Sequence, residues 1–117
     1  MRIVVLGGYG VFGTLLCREL ASAGATVLVA GRCADRAAAL AAELGGPHRA
    51  ARVDVGRPTE VREAIRGADR AILAIGPFRD LNTTVAECCL SERVDYIDIA
   101  DDRARRCLWY MSSIICY

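Results

Sequence analysis

Short apolar runs alternate with longer stretches of helical periodicity along almost the whole of this chain. The first run, at residues 3–6, is entirely apolar, and those that follow are rich in Val, Ile, Leu and Ala. Continuous apolar runs of this length predict strands that are buried on both faces, as in a parallel sheet. Predicted strands span residues 3–6, 26–30, 50–55, 70–75 and 96–100, and predicted helices span 11–23, 35–44, 58–66 and 82–91.

This alternation of strands and helices, joined by short links, predicts an α/β domain whose parallel sheet is covered by helices on both faces. Right-handed crossovers favour a doubly wound, Rossmann-like sheet of about five strands in the order 3-2-1-4-5. A flavodoxin-like or receiver-like domain has the same alternation, and only the loop after the first strand distinguishes it.

Length and composition are those of one small folded domain. The chain has 117 residues, of which 54% are apolar and 25% charged, so it is not disordered and is too short for an added substrate-binding domain. We predict a domain over residues 1–106 and an apolar tail over 107–117. The 15 basic and 14 acidic residues nearly cancel to a net charge of +1. Charge therefore gives no reason to expect nucleic acid or a membrane surface as a partner.

Six cysteines are present, but their spacing indicates neither a metal site nor a disulfide framework. They include no Cys-x-x-Cys pair, and the one histidine, His48, is not at ligand spacing from them. We interpret them as reduced thiols that pack as small apolar side chains, and we expect no metal. No segment resembles a signal peptide or approaches the ~20 apolar residues of a membrane span. The expected location is cytoplasmic.

A glycine-rich loop lies directly after the first predicted strand and opens the first predicted helix. Gly8, Gly10 and Gly13 fit the pattern GxGxxG, in which the glycines permit a tight turn, close approach of a pyrophosphate and close packing of helix on strand. The helix N-terminus would add free N–H groups and the positive end of its dipole. The loop therefore predicts dinucleotide binding, and the predicted contact residues are Gly8, Tyr9, Gly10, Val11, Phe12 and Gly13. The alternative is that the glycines serve only the turn.

The glycines at 7, 10 and 13 also fit the GxxGxxG pattern of short-chain dehydrogenases. Those enzymes use a Tyr-x-x-x-Lys pair, and this chain contains no lysine. Catalysis of that type within this chain is excluded.

The end of the second predicted strand indicates which dinucleotide is bound. NAD sites place an acidic residue there to hold the ribose hydroxyls, whereas this chain has Gly31 and Arg32. We expect Gly31 to leave room for a 2′-phosphate and Arg32, assisted by Arg36, to bind it, which favours NADP over NAD. Asp54 and Val55, at the end of the third strand, are predicted to line the adenine pocket. The alternatives are that the arginines are ordinary solvated side chains and that Asp54 only caps a turn.

Four segments together resemble the N-terminal NADP-binding domain of saccharopine dehydrogenase-like oxidoreductases. They read VLGGYGVFG at 5–13, AGR at 30–32, IGPF at 75–78 and VDYIDIAD at 94–101, and the resemblance covers roughly residues 2–106. It implies that Gly76, Pro77 and Phe78 contact the nicotinamide side of the cofactor, although a rigid turn with a packed ring explains them equally well. It leaves the role of Asp98 open between substrate contact and support of the loop backbone, and it assigns no chemistry to Cys88 and Cys89.

The resemblance implies hydride transfer to or from an amino-acid-derived imine or secondary amine, in two-domain enzymes whose second domain carries much of the substrate site. No catalytic residue is evident in this chain, because His48 is expected to lie exposed and inert in the loop before the third strand. The alternative function is a dinucleotide-binding or redox-sensing module without catalysis.

The last segment, CLWYMSSIICY at 107–117, departs from the family pattern. The alternatives for this tail are packing on the sheet edge, a dimer contact, and the product of a truncated or frame-shifted coding region. We expect the tail to promote self-association and the chain alone to be a poor catalyst.

Overall fold

The computed structural model describes residues 1–7, 9–74 and 79–98, with side chains described at 1–7, 9–74 and 84–97. Five strands and four helices alternate along these residues. The strands are β1 (Arg2–Leu6), β2 (Thr26–Gly31), β3 (Arg49–Arg52), β4 (Arg70–Leu73) and β5 (Asp95–Asp98). The helices are α1 (Val11–Ser22), α2 (Ala34–Leu44), α3 (Pro58–Ile65) and α4 (Arg79–Glu92). Among these residues no helix is long and apolar enough to cross a membrane.

All five strands are parallel, and their order is β3-β2-β1-β4-β5, which confirms the predicted topology. The chain moves outward from β1 through β2 to β3, then crosses back to pair β4 with the other side of β1. The helices that follow the adjacent strands β1 and β4 therefore lie on opposite faces of the sheet. In doubly wound sheets this arrangement creates the crevice in which ligands bind, at the carboxyl ends of the strands.

Alternate residues of the central strand β1 face two separate apolar clusters, one on each side of the sheet. Ile3 and Val5 pack with α1 and α2, whereas Val4 and Leu6 pack with α3 and α4. All four side chains are buried. This explains why the strand has no polar residue between Ile3 and Leu6 and why it anchors the loop that follows it.

Two element boundaries differ from the predicted ones by three residues, and several others differ by one or two. Strand β3 spans Arg49–Arg52 rather than 50–55, because its partner β2 ends at Gly31. One further hydrogen bond joins the Val53 N–H to the Gly31 carbonyl at 2.8 Å, after which the chain turns away. Helix α4 begins at Arg79, three residues before the predicted start. The predicted ends of the fourth and fifth strands and the tail at 107–117 lie outside the described residues.

The prediction that His48 is exposed is wrong. Its side chain is half-buried, and its Nδ1 accepts a hydrogen bond from the Val27 N–H at 3.0 Å. The next residue, Arg49, begins the β2–β3 ladder opposite Leu28. The imidazole thus satisfies the β2 N–H group that lies one position before the backbone ladder starts.

We expect His48→Ala to lower the free energy of unfolding by about 1 kcal/mol, because it leaves a partly buried N–H without its acceptor. Urea denaturation followed by circular dichroism measures this change. Arg49→Ala, which alters the exposed neighbouring side chain, is the control and should change stability less. Equal stability of the two variants would show that the Val27–His48 bond contributes nothing.

Candidate dinucleotide-binding site

The loop between β1 and α1 is held by its backbone. Gly7 adopts a positive φ of 84°, which favours glycine, and its N–H donates to the Ala30 carbonyl at 2.7 Å. The Gly10 N–H donates to the Gly7 carbonyl at 3.1 Å, which closes the turn. Gly8, the first glycine of the predicted pattern, lies outside the described residues. The turn brings the chain from the end of β1 directly to the start of a helix.

Helix α1 begins at Val11 with Gly10 as its N-cap, and no side chain in the described part of the chain caps it. The first backbone bond of this helix end joins the Thr14 N–H to the Gly10 carbonyl at 2.8 Å. The N–H groups of a first helical turn have no carbonyl partner within the helix. Together with the helix dipole they attract an anion, so this end of α1 is suited to a phosphate group.

Gly10 is not required by the chain itself. Its φ of −71° and ψ of 179° are accessible to any residue. A Cβ built on it would meet only the Gly7 carbonyl oxygen, at an ordinary contact distance of 3.5 Å. Neither backbone strain nor packing within the described residues therefore explains a glycine here. Close approach of a ligand to the backbone does explain it.

The remaining loop residues divide between core and surface. Gly13 is buried within α1. Burial is consistent with the role predicted for this glycine, close packing of helix on strand. Val11 and Phe12 are 88% and 70% exposed. Leu15, one turn further along α1 and not predicted as part of the site, is 59% exposed. The open end of the helix is thus bordered by an apolar surface, which the GxGxxG pattern does not reveal.

Tyr9 crosses from the loop to the end of β2 and packs on Gly31. A Cβ on Gly31 would lie 2.6 Å from Cζ and 2.7 Å from the hydroxyl oxygen of Tyr9, and closer still to Cε1. The space predicted to be left free by Gly31 for a 2′-phosphate is therefore filled by the tyrosine ring. The Cys33 N–H donates to the Tyr9 hydroxyl oxygen at 2.8 Å, a contact that no motif indicates.

The two arginines predicted to bind the 2′-phosphate both follow the carboxyl end of β2. Arg32 is exposed in the link between β2 and α2. Arg36 is exposed on α2, and its guanidinium carbon lies 4.9 Å from the centroid of the Tyr9 ring. Tyr9, Gly31 and Arg36 therefore form a single contact group beside Arg32.

Of the pair predicted to line the adenine pocket, only Asp54 reaches the surface. Its Oδ1 accepts from the Gly56 N–H at 2.9 Å, which is the turn-capping role considered as its alternative. The Asp54 N–H donates to Glu60 Oε1 at 3.2 Å. Val55 is only 5% exposed and packs in the core with α3 and α4. Its side chain is therefore not available to line an adenine pocket.

The predicted nicotinamide contacts follow strand β4 in the sequence. Gly76, Pro77 and Phe78 lie outside the described residues. The backbone of Asp98 ends β5 in register with Leu73, the last residue of β4. Position 98 is thus at the carboxyl edge, next to the strand that leads into the Gly-Pro-Phe segment.

Two of the described cysteines, Cys17 and Cys88, are not activated as nucleophiles. Cys17, Cys33, Cys88 and Cys89 are reduced thiols. Burial raises the pKa of the Cys17 thiol to about 11 and also raises the pKa of Cys88, so both are protonated at neutral pH. Within the ranges described, no group of three or more His, Cys, Asp or Glu residues is placed to hold a metal ion.

A cavity of about 690 Å³ lies away from this site, at the amino ends of β1 and β2, with Arg2, Thr26 and Arg66 among its lining residues. Its lining extends along β3 to Val53 and includes none of the described residues of the glycine loop. Ligands of doubly wound sheets bind where the loops after the strands diverge at the carboxyl edge, so the glycine loop and not this cavity is the candidate site.

Solved structures with the same fold include dehydrogenases. Saccharopine dehydrogenase (L-Glu forming) from Saccharomyces cerevisiae matches 92% of this chain with a TM-score of 0.76 and 23% identity, over 23% of its own length. Serine dehydrogenase from Escherichia coli matches 98% of this chain with a TM-score of 0.72 and 16% identity, over 71% of its length. Pen from Bacillus thuringiensis matches 83%, with a TM-score of 0.75 and 14% identity, over 36% of its length. This chain thus spans less than a quarter of the yeast enzyme.

No curated protein sequence matches the chain. The family model of the saccharopine dehydrogenase NADP-binding domain, however, matches residues 3–113, which is nearly all of it. The matched region contains the glycine loop, the Gly-Arg end of β2 and all five strands. This chain belongs to the family of NADP-binding domains of saccharopine dehydrogenase-like oxidoreductases.

Proposed function

We propose that this domain holds NADP at the carboxyl edge of its sheet, for hydride transfer to or from an amino-acid-derived imine or secondary amine. The observation that carries the placement is Gly10, a glycine that neither its backbone angles nor its neighbours require. It lies at the uncapped N-terminus of α1, where the pyrophosphate would accept hydrogen bonds from the first N–H groups. When bound, the dinucleotide supplies or accepts the hydride, and the chain binds and orients it.

The adenosine end of the dinucleotide is proposed to extend from the loop toward the end of β2. Arg32 and Arg36 are both exposed there, and no ion pair occupies either of them among the described residues. A guanidinium binds a phosphate with paired, charge-assisted hydrogen bonds, whereas a ribose hydroxyl offers it much less. The arginines are thus suited to the 2′-phosphate that distinguishes NADP from NAD.

The substrate side of the reaction is proposed to depend on protein outside this domain. The chain spans 23% of the length of the yeast saccharopine dehydrogenase, whose name states the substrate of that enzyme alone. Gly76, Pro77 and Phe78 remain the proposed neighbours of the nicotinamide. A reducing compartment such as the cytoplasm is proposed, since the four described cysteines are reduced thiols.

Calorimetric titration tests the cofactor preference. We expect NADPH to bind at least about tenfold more tightly than NADH, because a hydrogen bond to a charged group contributes roughly 1.5–3 kcal/mol. Arg32→Ala should remove most of that preference, and added salt should weaken NADPH binding more than NADH binding. Arg49→Ala, which removes an exposed guanidinium outside the proposed site, is the matched control. Equal affinities of the parent chain for NADPH and NADH would contradict the assignment of Arg32.

A further inference from the structure

We infer that Tyr9 selects the cofactor in two ways. Its ring fills the space above Gly31 from which an acidic side chain would hold the ribose of NAD. The ring also positions Arg36 to bind the 2′-phosphate of NADP. The inference rests on the function proposed above and names the residues that discriminate at that site. Three sets of contacts lead to it.

The first set is between Tyr9 and Gly31. NAD-binding domains of this type hold the ribose hydroxyls with an acid at the end of the second strand. Here any Cβ at position 31 would lie within 2.7 Å of the Tyr9 hydroxyl oxygen and 2.6 Å from Cζ, separations that real Cβ contacts do not reach. An Asp or Glu at position 31 is thus incompatible with the present position of the ring. The glycine and the tyrosine exclude the NAD arrangement together, although they are 22 positions apart in the sequence.

The second set of contacts fixes the ring in place. The Cys33 N–H donates to the Tyr9 hydroxyl oxygen at 2.8 Å, so the tip of the side chain is tied to the N-cap of α2. Since this bond uses a lone pair of the oxygen, the hydroxyl keeps its own proton to donate. In the part of the chain that is described, no acceptor takes that proton. A hydroxyl that is held by one bond and still has a proton to donate is suited to an anionic oxygen.

The third contact is between Tyr9 and Arg36. The guanidinium carbon lies 4.9 Å from the ring centroid, which is within the range of a cation–π interaction. No hydrogen bond or ion pair among the described residues uses the guanidinium N–H groups of Arg36, so they are available to a ligand. The ring therefore restricts the rotamers of an exposed arginine without using its hydrogen bonds. The only acidic residue in the first turn of α2 is Asp35, so Arg32 and Arg36 leave a net positive charge here.

These contacts give each residue a separate task. Gly31 leaves space for the ring of Tyr9. The ring excludes an acidic side chain at position 31 and supports Arg36, whose guanidinium donates hydrogen bonds to the 2′-phosphate. A 2′-hydroxyl in place of the phosphate would gain little from a guanidinium and would find no carboxylate. Selection for NADP thus depends on the ring of Tyr9 as well as on the charge of the arginines.

A switch of cofactor preference tests the inference. Tyr9→Ala combined with Gly31→Asp removes the ring and supplies the acid, and we expect the affinity ratio of NADPH to NADH to fall by about a hundredfold and to favour NADH. Tyr9→Ala alone should reduce the ratio by several-fold through loss of the arginine support. Gly31→Ala alone should weaken NADPH binding, because its Cβ displaces the ring. The same substitution should reduce the affinity for NADPH much less when Tyr9 is already Ala. This dependence of one substitution on the other is the coupling that the contact predicts.

Calorimetry with NADPH and NADH on the full chain measures each ratio, and circular dichroism confirms that each variant is folded. Tyr9→Phe and Arg36→Gln are milder variants, since the first retains the ring and the second an exposed polar side chain. Both are expected to lower the ratio. If the parent binds NADPH tightly but all these variants keep its preference, Tyr9 has no part in selection while the proposed function stands. If the parent binds neither cofactor, the proposed site itself is wrong.

Discussion

Replacing Gly10 with valine is expected to lower the affinity for NADPH by about a hundredfold or more while the domain remains folded. The side chain would project into the space in front of α1 and keep a pyrophosphate from the first-turn N–H groups. Loss of two such charge-assisted hydrogen bonds corresponds to roughly 3 kcal/mol or more. The fold should tolerate the change, because among the described residues a Cβ at this position meets only the Gly7 carbonyl oxygen, at 3.5 Å. Calorimetric titration measures the affinity, and circular dichroism with thermal melting measures the fold.

Two variants make this result interpretable. Gly10→Ala adds a single carbon and should lose less affinity than the valine variant. Ser22→Val places the same side chain at the exposed far end of α1 and should bind NADPH as the parent does. A folded Gly10→Val protein with unchanged affinity would mean that the loop does not bind the pyrophosphate.

Leu6→Ala is expected to cause the largest loss of stability, about 2–5 kcal/mol of unfolding free energy. Leu6 is fully buried in the central strand and packs in the cluster formed with α3 and α4. Truncation leaves a cavity between the sheet and these helices, and domains of this size have only about 5–15 kcal/mol of total stability. Urea denaturation measures the loss.

The chain contains a matched control for this substitution. Leu15→Ala removes the same atoms from a side chain that is 59% exposed on α1. We expect it to change the unfolding free energy by much less, since little apolar area returns to water. If the two variants are equally stable, Leu6 does not contribute to the core as the structure indicates.

The topology was predictable because each strand and helix is encoded locally. Apolar runs such as 3–6, which no polar residue interrupts, already require burial on both faces, and that burial implies a parallel sheet with helices on each side. Boundaries were less predictable. Val53 and Val55 are apolar, as strand residues are, and both are buried in the structure. Strand β3 nevertheless ends before them, because β2 has no further backbone to pair with. Apolar character reports burial and does not report which strand is the partner.

The parts of the site that the sequence did not predict are contacts between distant residues. Nothing local to His48 indicates that its Nδ1 accepts from Val27, 21 positions earlier. The sequence shows that position 31 carries no acid. It does not show that Tyr9, from the first loop, fills the space above Gly31. Sequence patterns identify residue types suited to a dinucleotide, whereas the neighbours that orient them depend on how β1 and β2 are aligned.

Binding at the start of α1 would link the lifetime of this domain to the supply of its cofactor. Neither α1 nor the described helices α2 and α3 have a side-chain cap, and at α1 the proposed pyrophosphate would accept hydrogen bonds from the first N–H groups. A ligand that binds only the folded form stabilises it by about 2.7 kcal/mol when its free concentration is a hundred times its dissociation constant. A cell depleted of NADP would thus hold more of this protein in partly opened states, which proteases degrade. Cofactor abundance would then set how much of the protein persists as well as how much of it is loaded.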